Sequence, residues 1–359
     1  MSIFGRTFHL IKRDNVSLKQ SVLVRALAII AALLLSAVVI MLLTDKDPLK
    51  IYGAMVDGAL GTSLRRWSLF QDISILLCIS LAVTPAFRMR FWNCGAEGQV
   101  LMGGLCCVLV MVFLGGTVPN PVLWIIMALA AILGGIIWAT IPAFFKANWN
   151  TNETLFTLMM NYVAIQIVNF FLKAHVKNGS GVLSPMPDYG LPKLFGKDYL
   201  LNIVIVAILT VLLYIYLKKT KHGYEISVVG ESENTARYIG INVKKVIMRT
   251  LVCSGALCGI AGLLLVGGTS HTINADTAGG RGFTAIMVSW LAKFNPIMMV
   301  LTTFLIVFLQ KGAKQVSTSF RISESISDIV TGIILFFIIG CEFFLQYKIV
   351  VSKNEKEAE

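Results

Sequence analysis

The run A-L-A-I-I-A-A-L-L-L-S-A-V-V-I-M-L-L, Ala26 to Leu43, contains no charged residue. As a helix rising about 1.5 Å per residue it covers about 27 Å, close to the ~30 Å hydrocarbon core of a bilayer. Pro121 to Phe145 and Tyr199 to Leu217 are also free of charge. Only structures that satisfy every backbone group internally survive in lipid, and runs of this length do so as helices. Several of them in one chain predict an all-α, polytopic membrane helix bundle.

Composition agrees. Hydrophobic residues make up 56% of the 359 and charged residues 14%, with a mean hydropathy of +0.78; soluble domains carry about a quarter charged residues. The formal charge of +12 is concentrated in Lys12, Arg13, Lys19 and Arg25 and in the 218–249 stretch, with Lys218, Lys219, Lys221, Arg237, Lys244, Lys245 and Arg249. Cytoplasmic loops of membrane proteins gather Lys and Arg in this way. The basic balance therefore points to topology and a lipid bilayer, with no nucleic-acid partner.

Candidate spans lie at 22–43, 69–87, 100–114, 121–145, 155–172, 199–217, 246–267 and 326–345. The 283–310 stretch is apolar but interrupted by Lys293, Asn295 and Pro296, which gives one kinked span or two short ones and a range of about 8–10 transmembrane helices. The chain is divided into an N-terminal segment 1–21, a membrane domain 22–345 and a tail 346–359. Six spans separate the N-terminal charges from the 218–249 loop, so both lie on the cytoplasmic side. The first apolar run exceeds a signal-peptide core and no A-x-A site follows it, so it is read as a retained span. Seven cysteines sit in or beside apolar runs without metal-ligand spacing and read as packing residues.

Polar breaks carry the functional signal. Residues 91–104, F-W-N-C-G-A-E-G-Q-V-L-M-G-G, set Asn93, Glu97 and Gln99 among glycines between two spans. A carboxylate toward the bilayer centre costs at least about 2.5–3.5 kcal/mol on insertion scales, so it must face protein or water. A second glycine-rich break, 267–290, contains His271, Asp276 and Phe283. Short or broken apolar segments in each half mark transport sites near the membrane midplane. His271 and Asp276 also admit a metal or proton-relay reading, against which stands a simple solvated loop. Glu153, Thr157 and Asn161 share one helical face at i, i+4, i+8, with Gln166 and Asn169 following. Asn150 and Glu153 form an N-x-x-E helix start. Gly255 and Gly259 are a small-xxx-small pair suited to close helix packing.

Within the basic loop, G-E-S-E-N-T-A-R-Y-I-G at 230–240 reads as a short helix with Ser232 as N-cap, acidic residues in its first turn and Gly240 as its stop. The stretches 44–68 and 173–198 read as extracytoplasmic, either as solvated linkers or as a docking place for a partner.

The blocks N-C-G-A-E-G-Q at 93–99, T-N-E-T-L-F-T-L-M-M-N-Y at 151–162, G-E-S-E-N-T-A-R-Y-I-G-I-N-V at 230–243, S-G-A-L-C-G-I-A-G at 254–262 and G-R-G-F-T-A-I-M-V-S-W-L-A-K-F-N-P at 280–296 occur in that order. Together they resemble the membrane-spanning permeases of nucleoside-type bacterial ABC importers, within the ribose and branched-chain amino acid permease superfamily. Cys94, where the family usually has an aliphatic residue, and the polar 311–325 segment depart from the pattern. The resemblance implies a permease of the bacterial cytoplasmic membrane that moves nucleosides or related sugar-containing solutes. Its implied partners are a separate ABC ATPase that binds ATP and Mg, a second permease (identical or paralogous) and an extracytoplasmic solute-binding lipoprotein, which would dock at 44–68 and 173–198. It further implies a solute path at Phe91, Trp92, Asn93, Glu97, Gln99, Thr157, Asn161 and Phe283. ATPase coupling would fall to the 218–248 loop through Gly230, Glu231, Ser232, Asn234, Ala236, Arg237, Tyr238 and Gly240.

The chain has no G-x-x-x-x-G-K-[ST] phosphate loop, since Gly196-Lys197 runs into Asp198. No cofactor and no metal site is expected in it. The alternative is an ion-coupled secondary transporter using Glu97, Glu153 and Asp276. A membrane-embedded enzyme finds no nucleophile–base pair or H-E-x-x-H to support it.

Overall fold

A computed structural model describes residues 2–3, 6–12, 18–44, 47–176, 183–197 and 199–353. Arg13 of the N-terminal basic segment, Asp198 and the 354–359 part of the tail fall outside the described residues. The chain forms two compact units, Trp67–Val307 and a second that joins Met1–Arg66 to Phe308–Glu359.

In the terminal unit, α1 (Leu18–Leu43) packs against α13 (Glu324–Gln346). Strands β1 (Ser2–Ile3), β2 (Arg6–Lys12) and β3 (Tyr347–Lys353) form a small antiparallel sheet, in which Arg6 pairs with Lys353 and Lys12 with Tyr347. Pairing of β2 with β3 brings segments near the two ends of the chain together. Between α1 and the next span lies α2 (Pro48–Leu60), in a stretch read from sequence as linker. Its start is encoded by Asp47, whose side chain accepts the Leu49 N–H at 2.9 Å, and by Pro48 in the first turn. Gly58 lets α2 close onto Gln315 of α12 (Pro296–Phe320), where a Cβ would sit 2.3 Å from the glutamine side chain.

In the larger unit α3 (Ser63–Arg88) is buried continuously from Ile73 to Phe87. It also contains α4 (Ala96–Leu114), α5 (Asn120–Trp149), α6 (Glu153–His175), α7 (Leu200–Lys219) and α10 (Val243–Leu265), of which α4, α5 and α10 pack most closely on one another. Glycines set the spacing of α4, α5 and α10. A Cβ on Gly135 would lie 2.2 Å from the Gly255 carbonyl, and one on Gly103 would lie 2.7 Å from Gly259 Cα. The small-residue pair Gly255/Gly259 is thus a backbone-on-backbone contact, as its spacing predicted.

Among the described residues, eight helices are long and apolar enough to cross a membrane, and Ile329–Cys341 of α13 adds a shorter apolar stretch. The ambiguous 283–310 region resolves into two helices. The shorter, α11 (Arg281–Leu291), ends where Lys293 and Phe294 adopt positive φ of 51° and 56°. Pro296 then opens α12, with Asn295 Oδ1 accepting the Ile297 N–H at 3.1 Å. Two successive left-handed residues followed by proline cannot continue a helix. At the α5–α6 junction the expected start signal shifts by two residues. Asn150 is the left-handed C-cap of α5 (φ 51°), and it is Asn152 that caps α6 by accepting the Leu155 N–H at 3.1 Å. Asparagine serves both positions because its short amide tolerates the left-handed region and also mimics a backbone acceptor.

Candidate functional site

Arg90, with φ of 60°, turns the chain at the end of α3 into the irregular segment 89–95 that precedes α4. Met89, Phe91, Asn93 and Gly95 of this segment are buried, so backbone groups there need partners. Side chains of α6 supply partners for Cys94, while α4 and α10 hold the segment through the Asn93 side chain. Asn161 accepts the Gly98 N–H at 2.9 Å and donates to the Cys94 carbonyl at 2.9 Å. Thr157 Oγ1 accepts the Cys94 N–H at 3.2 Å while donating to the Glu153 carbonyl at 2.7 Å. Asn93 and Gln99 exchange amide hydrogen bonds at 3.1 and 3.4 Å, and Asn93 Nδ2 also donates to Ser254 Oγ on α10 at 3.2 Å.

Glu97 ties this knot to the second glycine-rich break. Its two carboxylate oxygens accept the Gly280 and Gly282 N–H groups, each at 2.7 Å. Gly280 (φ 71°) is the N-cap of α11, so the carboxylate from the first turn of α4 also occupies the electropositive end of α11. That explains how a carboxylate that is only 8% exposed is tolerated among apolar spans. Gly282 is required here because a Cβ would meet the Glu97 backbone nitrogen at 2.6 Å.

The eight residues expected along the solute path therefore divide. Asn93, Glu97, Gln99, Thr157 and Asn161 converge, and their polar atoms are engaged with backbone and with one another. Phe91 is buried and faces a cavity of about 180 Å³ lined also by Glu153, Gly230 and Ser232. Trp92 and Phe283 remain 45% and 47% exposed. Sequence reading missed the aromatic partners of Trp92: Trp290 stacks on it at 5.5 Å, and Phe87 meets it edge-on at 5.7 Å. It also missed Asp72, whose carboxylate lies 3.5 Å from the Arg281 guanidinium. A further buried amide pair, Gln71 and Asn202, bonds Thr269 at the far end of α10. Residues 266–270 form a turn of π-helix there, and His271 (φ 51°) packs against Gly190. A single polar residue in an apolar run was the available signal for Asn202, and its meeting with Gln71 is purely tertiary.

The basic loop folds as two helices. α9 (Glu233–Tyr238) has the expected caps: Ser232 Oγ accepts the Thr235 N–H at 3.2 Å, and Gly240 (φ 83°) ends it. The N–H of Ile241 reaches the Ala236 carbonyl at 2.9 Å and that of Gly240 reaches Arg237 at 3.1 Å, a Schellman closure. Ala236 is buried, whereas Tyr238 is 91% exposed and Asn234 and Arg237 also face outward. Not foreseen was α8 (Lys221–Glu231), opened by Thr220 accepting the Gly223 N–H at 3.2 Å. Near its end Gly230 presses on the turn after α3, where a Cβ would lie 2.2 Å from the Arg88 carbonyl. Glu225 of α8 grips Arg249 of α10 at 2.7 Å, and this bond, with lesser help from charges nearby, holds its carboxyl below the ordinary value of 4.5. Clefts of about 650 and 560 Å³ flank the pair. The first is lined by Lys146, Asn150, Arg237 and Lys244, and the second by Tyr224, Glu225, Ile239 and Arg249.

Comparison with known proteins places residues 67–339 in the family described as "Branched-chain amino acid transport system / permease component". The chain is 30% identical over 325 residues to the guanosine ABC transporter permease protein NupP of Bacillus subtilis, covering 88% of this chain and 92% of that one. It is 27% identical to the glucose ABC transporter permease protein TsgB13 of Haloferax volcanii, covering 92% and 90%. With the nucleoside ABC transporter permease protein NupB of Lactococcus lactis the identity is 26%, covering 95% and 96%.

Proposed function

From the premise that this chain belongs to the branched-chain amino acid transport permease family, we propose that it carries nucleosides inward across the cytoplasmic membrane. It is a multi-pass permease subunit of an ABC transporter, so an ATPase partner is implied. The nucleoside assignment takes its support from NupP and NupB, which match nearly the whole chain; TsgB13 keeps a sugar as the second reading. On this reading ATP and Mg bind on the ATPase subunit, a second permease completes the passage, and an extracytoplasmic lipoprotein delivers the solute.

One observation carries the mechanism: the Gly230–Arg88 contact. The exposed α9 is the seat for the ATPase, and the clefts on either side of it receive the ATPase groove. When the ATPases close on ATP, α9 moves as a rigid body because both of its ends are capped. The motion passes along α8 to the turn after α3. With no side chain between the two backbones at Gly230, little of that displacement is absorbed by repacking. Segment 89–95 is next in line. Its polar knot to α4, α6 and α10, with the Glu97 clamp on α11, makes these helices respond together. Asn93, Gln99, Thr157 and Asn161 thus act by holding the broken segment in shape, a positioning role beside the path.

Reconstitution in proteoliposomes tests the reading. Nucleoside uptake is expected only when the permease complex, ATPase, binding protein and ATP are all present. Uptake driven by an ion gradient with no ATPase would establish the secondary-transporter alternative instead.

A further inference from the structure

Charge at depth is the starting observation. Asp72 is the tenth residue of α3, about 14 Å along a helix of about 39 Å, which sets it inside a ~30 Å hydrocarbon core. Asp72 and Arg281 are each 32% exposed, so this ion pair reaches the lateral surface of the larger unit. Charged groups at such depth face a bundle interior or water, since lipid contact is costly. From the pair, α11 runs on with Phe283, Met287 and Trp290 at i, i+4 and i+7, exposed by 47%, 40% and 48%. Trp92 stacks on the last of them at 5.5 Å. The opposite face of α11 is buried through Ala285, Val288 and Ser289, and Glu97 fixes its start.

We propose that this face of α11 is the solute-contacting wall of the passage, with the Asp72–Arg281 pair meeting the hydroxyls of a nucleoside and the ring of Phe283 stacking on its base. The inference rests on the nucleoside reading above and adds Asp72, Arg281 and Met287 to the expected path residue Phe283. A ribose diol offers donors to a carboxylate and acceptors to a guanidinium, and every base offers a flat face for an aromatic ring. Below Phe283, Met287 and Trp290 continue an apolar track toward the turn that the ATPase moves. An interfacial aromatic belt would account for Trp92 and Trp290 alone. It gives no reason for an ion pair and a phenylalanine on the same stripe at greater depth.

Thiol accessibility separates the two. Phe283→Cys and Met287→Cys are placed in the full transporter in proteoliposomes, with guanosine, adenosine, uridine and cytidine tested in turn as solute. A membrane-impermeant methanethiosulfonate is then applied during ATP turnover, and the wild-type chain with its native cysteines gives the baseline. Both positions should be modified, and a transported nucleoside should slow modification at least fivefold. Asp72→Asn should lower the preference for a nucleoside over its 2′,3′-dideoxy analogue at least threefold. The proposal falls if neither cysteine is modified, or if modification proceeds at the same rate with a transported nucleoside present. Wild-type transporter that moves no nucleoside would overturn the functional reading itself, whereas nucleoside uptake with unprotected cysteines overturns only the wall.

Discussion

Replacing Glu97 distinguishes a clamp from a solute contact. The side chain accepts two backbone N–H bonds at 2.7 Å, from Gly280 and Gly282. A hydrogen bond to a charged group contributes about 1.5–3 kcal/mol, so Glu97→Ala is expected to destabilise the larger unit by about 3–6 kcal/mol. Relaxation of α11 and entry of water would bring the value toward the lower end. Glu97→Gln keeps one acceptor but turns an NH₂ group toward the other N–H, so roughly half the loss is expected. At a few degrees per kcal/mol for domains of this size, the alanine variant should melt at least about 5 °C lower, with glutamine in between. The assay is thermal unfolding of the purified transporter in detergent, followed by tryptophan fluorescence, with uptake measured alongside. Two variants that melt within about 1 °C of wild type yet fail to transport would refute the clamp and make Glu97 a solute contact.

Gly240→Pro fixes φ near −65° where the chain requires 83°, and it removes the N–H that closes α9, so ATP-driven uptake should be lost while membrane insertion persists. Normal uptake in that variant would remove the coupling assignment. Gly135→Ala places a methyl 2.2 Å from the Gly255 carbonyl, and overpacking of this kind costs about 1–3 kcal/mol, so the variant should unfold at lower temperature; an unchanged midpoint would contradict the close α5–α10 packing. The carboxyl of Glu225 is held below its ordinary value of 4.5 in the fold, so its contribution to stability is present above about pH 4.5 and lost as pH falls through the lower folded value. The difference in thermal unfolding between wild type and Glu225→Gln should narrow as pH is lowered from 7 through 4.5 and below. A difference that stays constant over that range would deny the pair its role.

Local signals sufficed where a residue's neighbours in sequence decide its structure. The spans were legible because hydrocarbon imposes one solution on an uncharged run such as Ala26 to Leu43. The caps of α9 were legible because Ser232 and Gly240 act within one turn of themselves. Of the five polar residues that converge on the 89–95 segment, Glu97 stood out by its cost in a membrane, Asn93 and Gln99 by their glycine-rich break, and Thr157 and Asn161 by sharing a helical face. Their partners were another matter. Glu97 meets Gly280 across an interval that no helical period spans, and Gly230 meets Arg88 only because α8 folds back against the end of α3. The boundary between α11 and α12 turned on two positive-φ residues whose identities, Lys293 and Phe294, do not encode that conformation. α2 was hidden in a stretch too short and too polar to read as a span, although Asp47-Pro48 marked its start. Sequence by itself thus determined that this chain crosses the membrane many times and where most of its apolar segments lie. Tertiary structure decided which break faces which and where the exposed stripe of α11 lies. Desolvation is a property each residue carries alone, whereas a hydrogen bond or a close backbone approach exists only between residues the fold has brought together.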